Sequence, residues 1–188
     1  MTNAFPGHSA PAVGLEVPLQ MLAACHLRVQ SQCAALLRLA PHLAAHGSDR
    51  PAQEAGTGVM RYFDTSARHP HEDEEQDLFP ALLKAVAGSN AIGLRDLTTA
   101  LCADHRALEA RWCALRRVLV LVQVQVQEGK GAATATTLAA ADVQGFVDLY
   151  EQHIAREEAE LLPLAAGLLG GAELDRVGLA MRARRGVA

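Results

Sequence analysis

Aromatic residues make up only 4% of the 188 positions, and few stretches are rich in β-branched residues. That scarcity argues against a sandwich or barrel, whose strands draw on those residue types. No apolar run approaches the roughly 18 unbroken residues of a membrane-spanning helix. Positive charge is also short. The net charge is −4 and the isoelectric point about 6.0, whereas a nucleic-acid binder needs a basic face. No basic residue precedes Arg28, so the charged start of a secretory signal is missing and a cytoplasmic location is expected. The four cysteines show no C-x-x-C spacing and sit in apolar helical patterns, so they read as small buried residues rather than a disulfide framework.

Ala and Leu dominate, interleaved with Arg and Glu, a mixture that favours helix. The length suits one domain. Residues 1–17, rich in Pro, Gly and Ala, read as a flexible N-terminal arm, and 18–188 as the folded domain. Helical spacing starts at Pro18 and is interrupted at Pro41. A second helix is expected from about Pro51 to Ala87, kinked near Pro70, a third over 92–128 and a fourth over 136–168. A short fifth helix follows over 172–184. The stretch "VLVLVQVQVQ" at 118–127 alternates like a strand, but no partner strand exists elsewhere, so it reads as the distal end of the third helix. Four long helices joined by short turns make an all-α, up-down-up-down four-helix bundle, a fold able to hold metal on facing helices.

The chemistry concentrates in "HPHEDEEQDLFPALL", residues 69–83, with two histidines, five carboxylates and no Lys or Arg, directly before a core-like run. Residues four apart on a helix differ by about 40° of rotation and share a face. His71 with Glu75, His105 with Glu109, and His153 with Glu157 have this spacing, one pair in each of three helices. His26 lies in the apolar stripe of the first helix. A single such pair is usually a modest surface interaction, and a lone core histidine usually bonds a carbonyl. Convergence of all four helices changes the balance. Buried carboxylates need a partner, and here the neighbours are acids rather than bases. A dinuclear cation site satisfies all seven groups together.

"CHLRV", "HEDEEQDLFPALL", "DHRALE" and "HIAREEAELLPLA" together resemble the hemerythrin-like HHE cation-binding domains, over about residues 20–168. The resemblance implies a non-haem di-iron centre: two iron ions with a bridging oxo or hydroxo group, about 3.5–4 Å apart. The implied ligands are His26, His71, Glu75, His105, His153 and Glu157, with Glu72 as a further candidate. Two departures from the oxygen carriers of that family stand out. Glu109 occupies the place of a third-helix imidazole, so it is expected to act as a ligand, and Glu157 lies four residues after His153 where the carriers have an Asp five after. A carboxylate-rich set favours ferric iron, so irreversible reaction with O2, peroxide or NO is expected rather than oxygen carriage. Cys33 and Cys102 fall near enough in the pattern to be oxidised by such chemistry. The function expected is binding or sensing of O2 or a related small oxidant; the alternative is a di-iron oxidase, peroxidase or NO-handling enzyme. A ferritin-like protein would require Glu-x-x-His, which the chain lacks.

Overall fold

The structure, a computed structural model, describes residues 18–86, 91–129 and 136–187, and among these every regular element is helical. Helix α1 (Pro18–His46) runs without a break through Pro41, whose ring lies on the exposed side near the helix end. The second rod is built from α2 (Arg50–Arg61), α3 (Arg68–Asp73) and α4 (Phe79–Ala85), linked by π-helical turns over Tyr62–Ser66 and Glu74–Leu78. Helix α5 (Ala91–Gln127) is the third rod. The fourth joins α6 (Ala140–Arg156) to α7 (Leu162–Leu168) through a π turn over Glu157–Leu161, and α8 (Gly171–Arg184) closes the chain. The expected arm over residues 1–17 lies outside the described residues.

Around the bundle, α1 packs on α2, α2 on α5, α5 on α6 and α6 back on α1, while α8 covers α1 and α3. The bundle closes on itself. The strand-like alternation at 118–127 is absorbed by the end of α5, where Leu119 and Val122 are buried. Its glutamines tie down neighbouring chain. Gln123 donates to the Gln53 carbonyl at 2.9 Å, and Gln125 accepts from Ser48 at 2.7 Å and Thr136 at 2.6 Å.

The interior is divided. One apolar cluster fills the bundle from Val29, Leu36 and Phe63 to Leu119 and Phe146. A second surrounds Leu22, Leu78, Leu82, Leu101, Leu161 and Met181. His26, His105, His153, Glu74 and Glu157 are buried at chain positions between the two.

Helix α8 is held by charge as well as by Val177 and Met181. Arg184 and Arg185 both bond the fully buried carboxylate of Asp73, Arg185 at 2.5 Å, and Arg184 also reaches Asp77 at 2.8 Å. Burial still pushes the Asp73 carboxyl above its ordinary range despite both guanidiniums. Stripping the cations from a buried acid costs about 3–5 kcal/mol. The double variant Arg184→Gln/Arg185→Gln should therefore lose stability of that order in urea unfolding, and adding Asp73→Ala should recover part of the loss.

At the start of α2, Asp49 caps the helix by accepting from the Ala52 amide at 2.9 Å, and the His42 ring bonds the same carboxylate. The amide bond first, and His42 next, hold its pKa below the ordinary value. A depressed carboxyl pKa stabilises above the unfolded pKa of about 3.9 and the contribution fades as pH falls through the folded value. Asp49→Ala should cost about 1 kcal/mol at neutral pH. The gap to the parent should narrow between about pH 5 and pH 3 in equilibrium melts.

Candidate metal centre

The two π turns bearing glutamates share a local cause. Pro80 and Pro163 lack an amide hydrogen, and a proline ring clashes with the carbonyl four residues earlier in a regular helix. Widening the preceding turn relieves the clash. In the first turn the Phe79 amide donates to the Glu74 carbonyl; in the second the Leu162 amide donates to the Glu157 carbonyl. Each wide turn thus begins at a glutamate six residues before a proline, and each of those glutamates is buried. The sequences "EEQDLFP" and "EEAELLP" make the two turns visibly equivalent.

The donor atoms meet at the centre of the bundle. Glu157 spans two helices: its Oε1 lies 2.9 Å from His153 Nε2 and its Oε2 lies 2.9 Å from His26 Nε2. Glu74 Oε2 lies 3.2 Å from His105 Nε2. Donor atoms of Glu74, His105, His153 and Glu157 all fall within 4.8 Å of one another, as do those of His71, His105 and His153. The His71 and His105 rings stack at 4.0 Å, and the His105 and His153 rings meet edge-on at 4.8 Å.

These close approaches are not hydrogen bonds. The Nε2 atoms of His26, His105 and His153, with Glu74 Oε2 and Glu157 Oε1, are all buried and without a hydrogen-bond partner. The outer edges of two rings are occupied instead. His26 Nδ1 donates to Glu158 Oε1 at 3.0 Å, and His105 Nδ1 donates to Glu75 Oε1 at 2.7 Å. A carboxylate only accepts, so the proton sits on Nδ1 and the Nε2 lone pair faces the centre. That carboxylate–imidazole arrangement is the one which orients a metal-binding histidine. His153 Nδ1 has only Asp104 nearby, at 3.6 Å, and Asp104 is itself bonded to Arg156 at 2.7 Å.

Protonation follows the same geometry. Burial, then the neighbouring His105 and His153 rings, lower the His71 pKa well below its ordinary value; burial and His153 also lower that of His105. Burial would depress His26 too, but Glu157 and Glu158 outweigh it and raise its pKa. Burial and the adjacent Glu157 carboxylate push Glu74 far up. Burial acts against Glu157 as well, yet His153 and His26 hold it below the carboxylate range.

Of the residues singled out in the sequence, His26, His71, His105, His153 and Glu157 are brought together. Three acids are not. Glu72, the residue directly after His71, is turned about 100° away and lies 3.6 Å from Arg184. Glu75 is 37% exposed and serves the back of His105, while Glu74, 1% exposed, takes the central place. Residues three and four apart border the same helical stripe, so spacing alone does not separate Glu74 from Glu75. Glu109 is 63% exposed and bonds Arg68 at 3.1 Å. One turn beyond His105 the inward position of α5 is Leu108, not Glu109. Glu158 reaches the back of His26. The paired "EE" six and five residues before each proline is the signal that separates inner from outer glutamates.

Residues 17–165 match the family described as Hemerythrin HHE cation binding domain. The chain belongs to that family. It is also similar to an uncharacterized protein of Haemophilus influenzae, 31% identical over 170 residues that cover 90% of this chain and 91% of that one. The HHE match ends before α8, so the two arginines that clamp Asp73 lie beyond the matched region.

Cys33, thought from the sequence to be a target for oxidation, is buried in the first apolar cluster with its thiol pushed up to about 12 by burial. The thiolate is the reactive form, and burial disfavours it there. The inner and outer acids should separate by titration with ferrous iron. Glu74→Gln and Glu157→Gln should abolish tight binding. Glu75→Gln and Glu158→Gln should weaken it about 10–100-fold, and Glu109→Gln should leave it unchanged.

Proposed function

We propose that this HHE domain is a non-haem di-iron protein that reacts with or senses O2 or a related small oxidant such as peroxide or NO. The observation that carries the reading is the set of buried, partnerless Nε2 and carboxylate oxygen atoms facing one centre, two of the rings oriented by carboxylates from behind. Four imidazoles and two carboxylates suit a borderline cation such as iron better than the all-oxygen preference of magnesium or calcium. His26, His71, His105 and His153 would hold the ions at the ring nitrogens, and Glu74 and Glu157 would hold them at carboxylate oxygens. The two oxygens of Glu157 face histidines on different helices. Bound iron would supply one-electron redox chemistry. The chain's own part is to fix the tautomers through Glu75 and Glu158, to neutralise the positive charge, and to exclude bulk water from the inner face.

The acid count in the centre bears on the expected irreversibility. Two carboxylates face inward among the described residues, fewer than the three or more expected from the sequence, so the bias towards ferric iron is milder. The enzymatic reading, an oxidase, peroxidase or NO-handling activity on the same scaffold, is favoured by one feature: the His71 and His105 side of the cluster borders an open pocket.

Anaerobic reconstitution should load two ferrous ions per chain, measured by metal analysis. Optical spectra across cycles of O2 exposure and degassing then separate the readings. A spectrum that does not return on degassing supports irreversible reaction, and one that returns over several cycles supports carriage. Uptake of one ion or none would overturn the di-iron assignment.

A further inference from the structure

Two imidazoles of the centre have their outer nitrogen held by a carboxylate, His26 by Glu158 and His105 by Glu75. His153 lacks that support, for its Nδ1 is buried without a hydrogen-bond partner. A cation at the centre needs the Nε2 lone pair, so the proton of the ring has to sit on Nδ1 and find an acceptor there. Among the described residues, the acid standing behind that atom is Asp104, its Oδ2 3.6 Å away. That is too far for a hydrogen bond.

The same oxygen is already engaged. Arg156 Nη1 donates to Asp104 Oδ2 at 2.7 Å, so one atom faces both the guanidinium and the imidazole. Both residues adjoin donors of the centre. Asp104 directly precedes His105 on α5, and Arg156 directly precedes Glu157, where α6 passes into its π turn. Arg156 is 35% exposed and Asp104 22%, so water competes for the pair and its geometry is weakly held. Closing about 0.5 Å would bring Oδ2 within hydrogen-bonding distance of Nδ1. A plain ion pair between α5 and α6 accounts for the contact of Arg156 with Asp104. It does not account for a carboxylate stationed behind an unpartnered, buried ring nitrogen.

We infer that Asp104 is the positioning residue for His153, and that Arg156, by holding the same oxygen, sets how strongly it acts. The carboxylate orients the ring and strengthens Nε2 as a donor; the guanidinium draws the carboxylate back. The His153 side of the centre is thus adjustable from the surface, whereas His26 and His105 already have their carboxylates in place. The consequence for iron affinity rests on the function proposed above; the contact between Asp104 and the ring does not.

Two readouts on the full chain test this. In the metal-free protein, NMR follows the Nδ1–H proton of His153. Arg156→Gln should move it downfield as the bond to Asp104 shortens, and Asp104→Asn should move it upfield. In anaerobic titration with ferrous iron, Asp104→Asn should weaken binding about tenfold, the lower end for an outer carboxylate, and Arg156→Gln should tighten it by about the same factor. In the Asp104→Asn background, Arg156→Gln should change nothing. Mere removal of a positive charge would instead tighten binding in both backgrounds. Both sites are part-exposed, and unchanged helical spectra would confirm that the variants fold. A proton indifferent to both substitutions, or an Arg156→Gln effect equal in the two backgrounds, would overturn the inference. Should the chain take up no iron, the di-iron reading fails while the proton still decides the role of Asp104. Loading of two irons with an unmoved proton would sink the inference alone.

Discussion

A layer of unpartnered polar atoms across the middle of a helical bundle is the constraint on which the rest of this structure depends. Six buried atoms on His26, Glu74, His105, His153 and Glu157 lack hydrogen-bond partners. A buried polar atom left unsatisfied costs roughly 1–3 kcal/mol, so a cluster of them is sustained only where something answers it. The surrounding apolar clusters offer these atoms no donor or acceptor, and their close neighbours are one another, imidazole against carboxylate at 2.9–3.2 Å. A cation placed among them would satisfy the five that face the centre; the sixth, His153 Nδ1, lies on the Asp104 side. Metal binding there would be coupled to folding, as it is wherever a site's donors are otherwise buried without partners.

The backbone solves the placement problem twice with one device. A proline follows each of two wide helical turns, the wide turn starts at a glutamate, and that glutamate points inward while the next one reaches an imidazole on a neighbouring helix. Glu74 and Glu75 act this way towards His105, and Glu157 and Glu158 towards the centre and His26. The symmetry is incomplete. His71 precedes its glutamate by three residues and His153 by four, and His153 has no acid in hydrogen-bonding reach behind it. The two halves of the centre thus present different surroundings to whatever they hold, and the open pocket borders the half with His71 and His105.

Much of this was legible in the sequence. The four rods, the short closing helix and the convergence of His26, His71, His105 and His153 followed from helical periodicity and from the improbability of burying acids beside histidines. The ends of "VLVLVQVQVQ" were read correctly as helix because no other strand could pair with them. The acids were harder. A three- or four-residue offset is decided by a few tens of degrees of helical phase, and a π turn shifts that phase. Glu75 and Glu109 have the same spacing from their histidines as Glu157, yet only Glu157 falls inside, because α5 turns Leu108 inward and the π turn beginning at Glu74 sends Glu75 to the back of His105. Periodicity reports which stripe a residue borders, and the packing of the neighbouring helix decides which edge of the stripe is buried.

The clamp between α8 and Asp73 adds a link from the end of the chain to the centre. Asp73 immediately precedes Glu74, and both are buried at the junction where α3 gives way to its π turn. A π turn has poorer intrinsic stability than the α-helix around it, so its position along the rod needs support from both sides. Pro80 supplies that support from the C-terminal side and the two guanidiniums on Asp73 supply it from the N-terminal side. Across the bundle, the equivalent turn at Glu157 has Pro163 but no arginine pair on its preceding residue; Arg156 stands there instead and bonds Asp104 behind His153. One glutamate is therefore anchored through the C-terminal helix and the other through the third rod. A disturbance of α8 should reach Glu74 before it reaches Glu157.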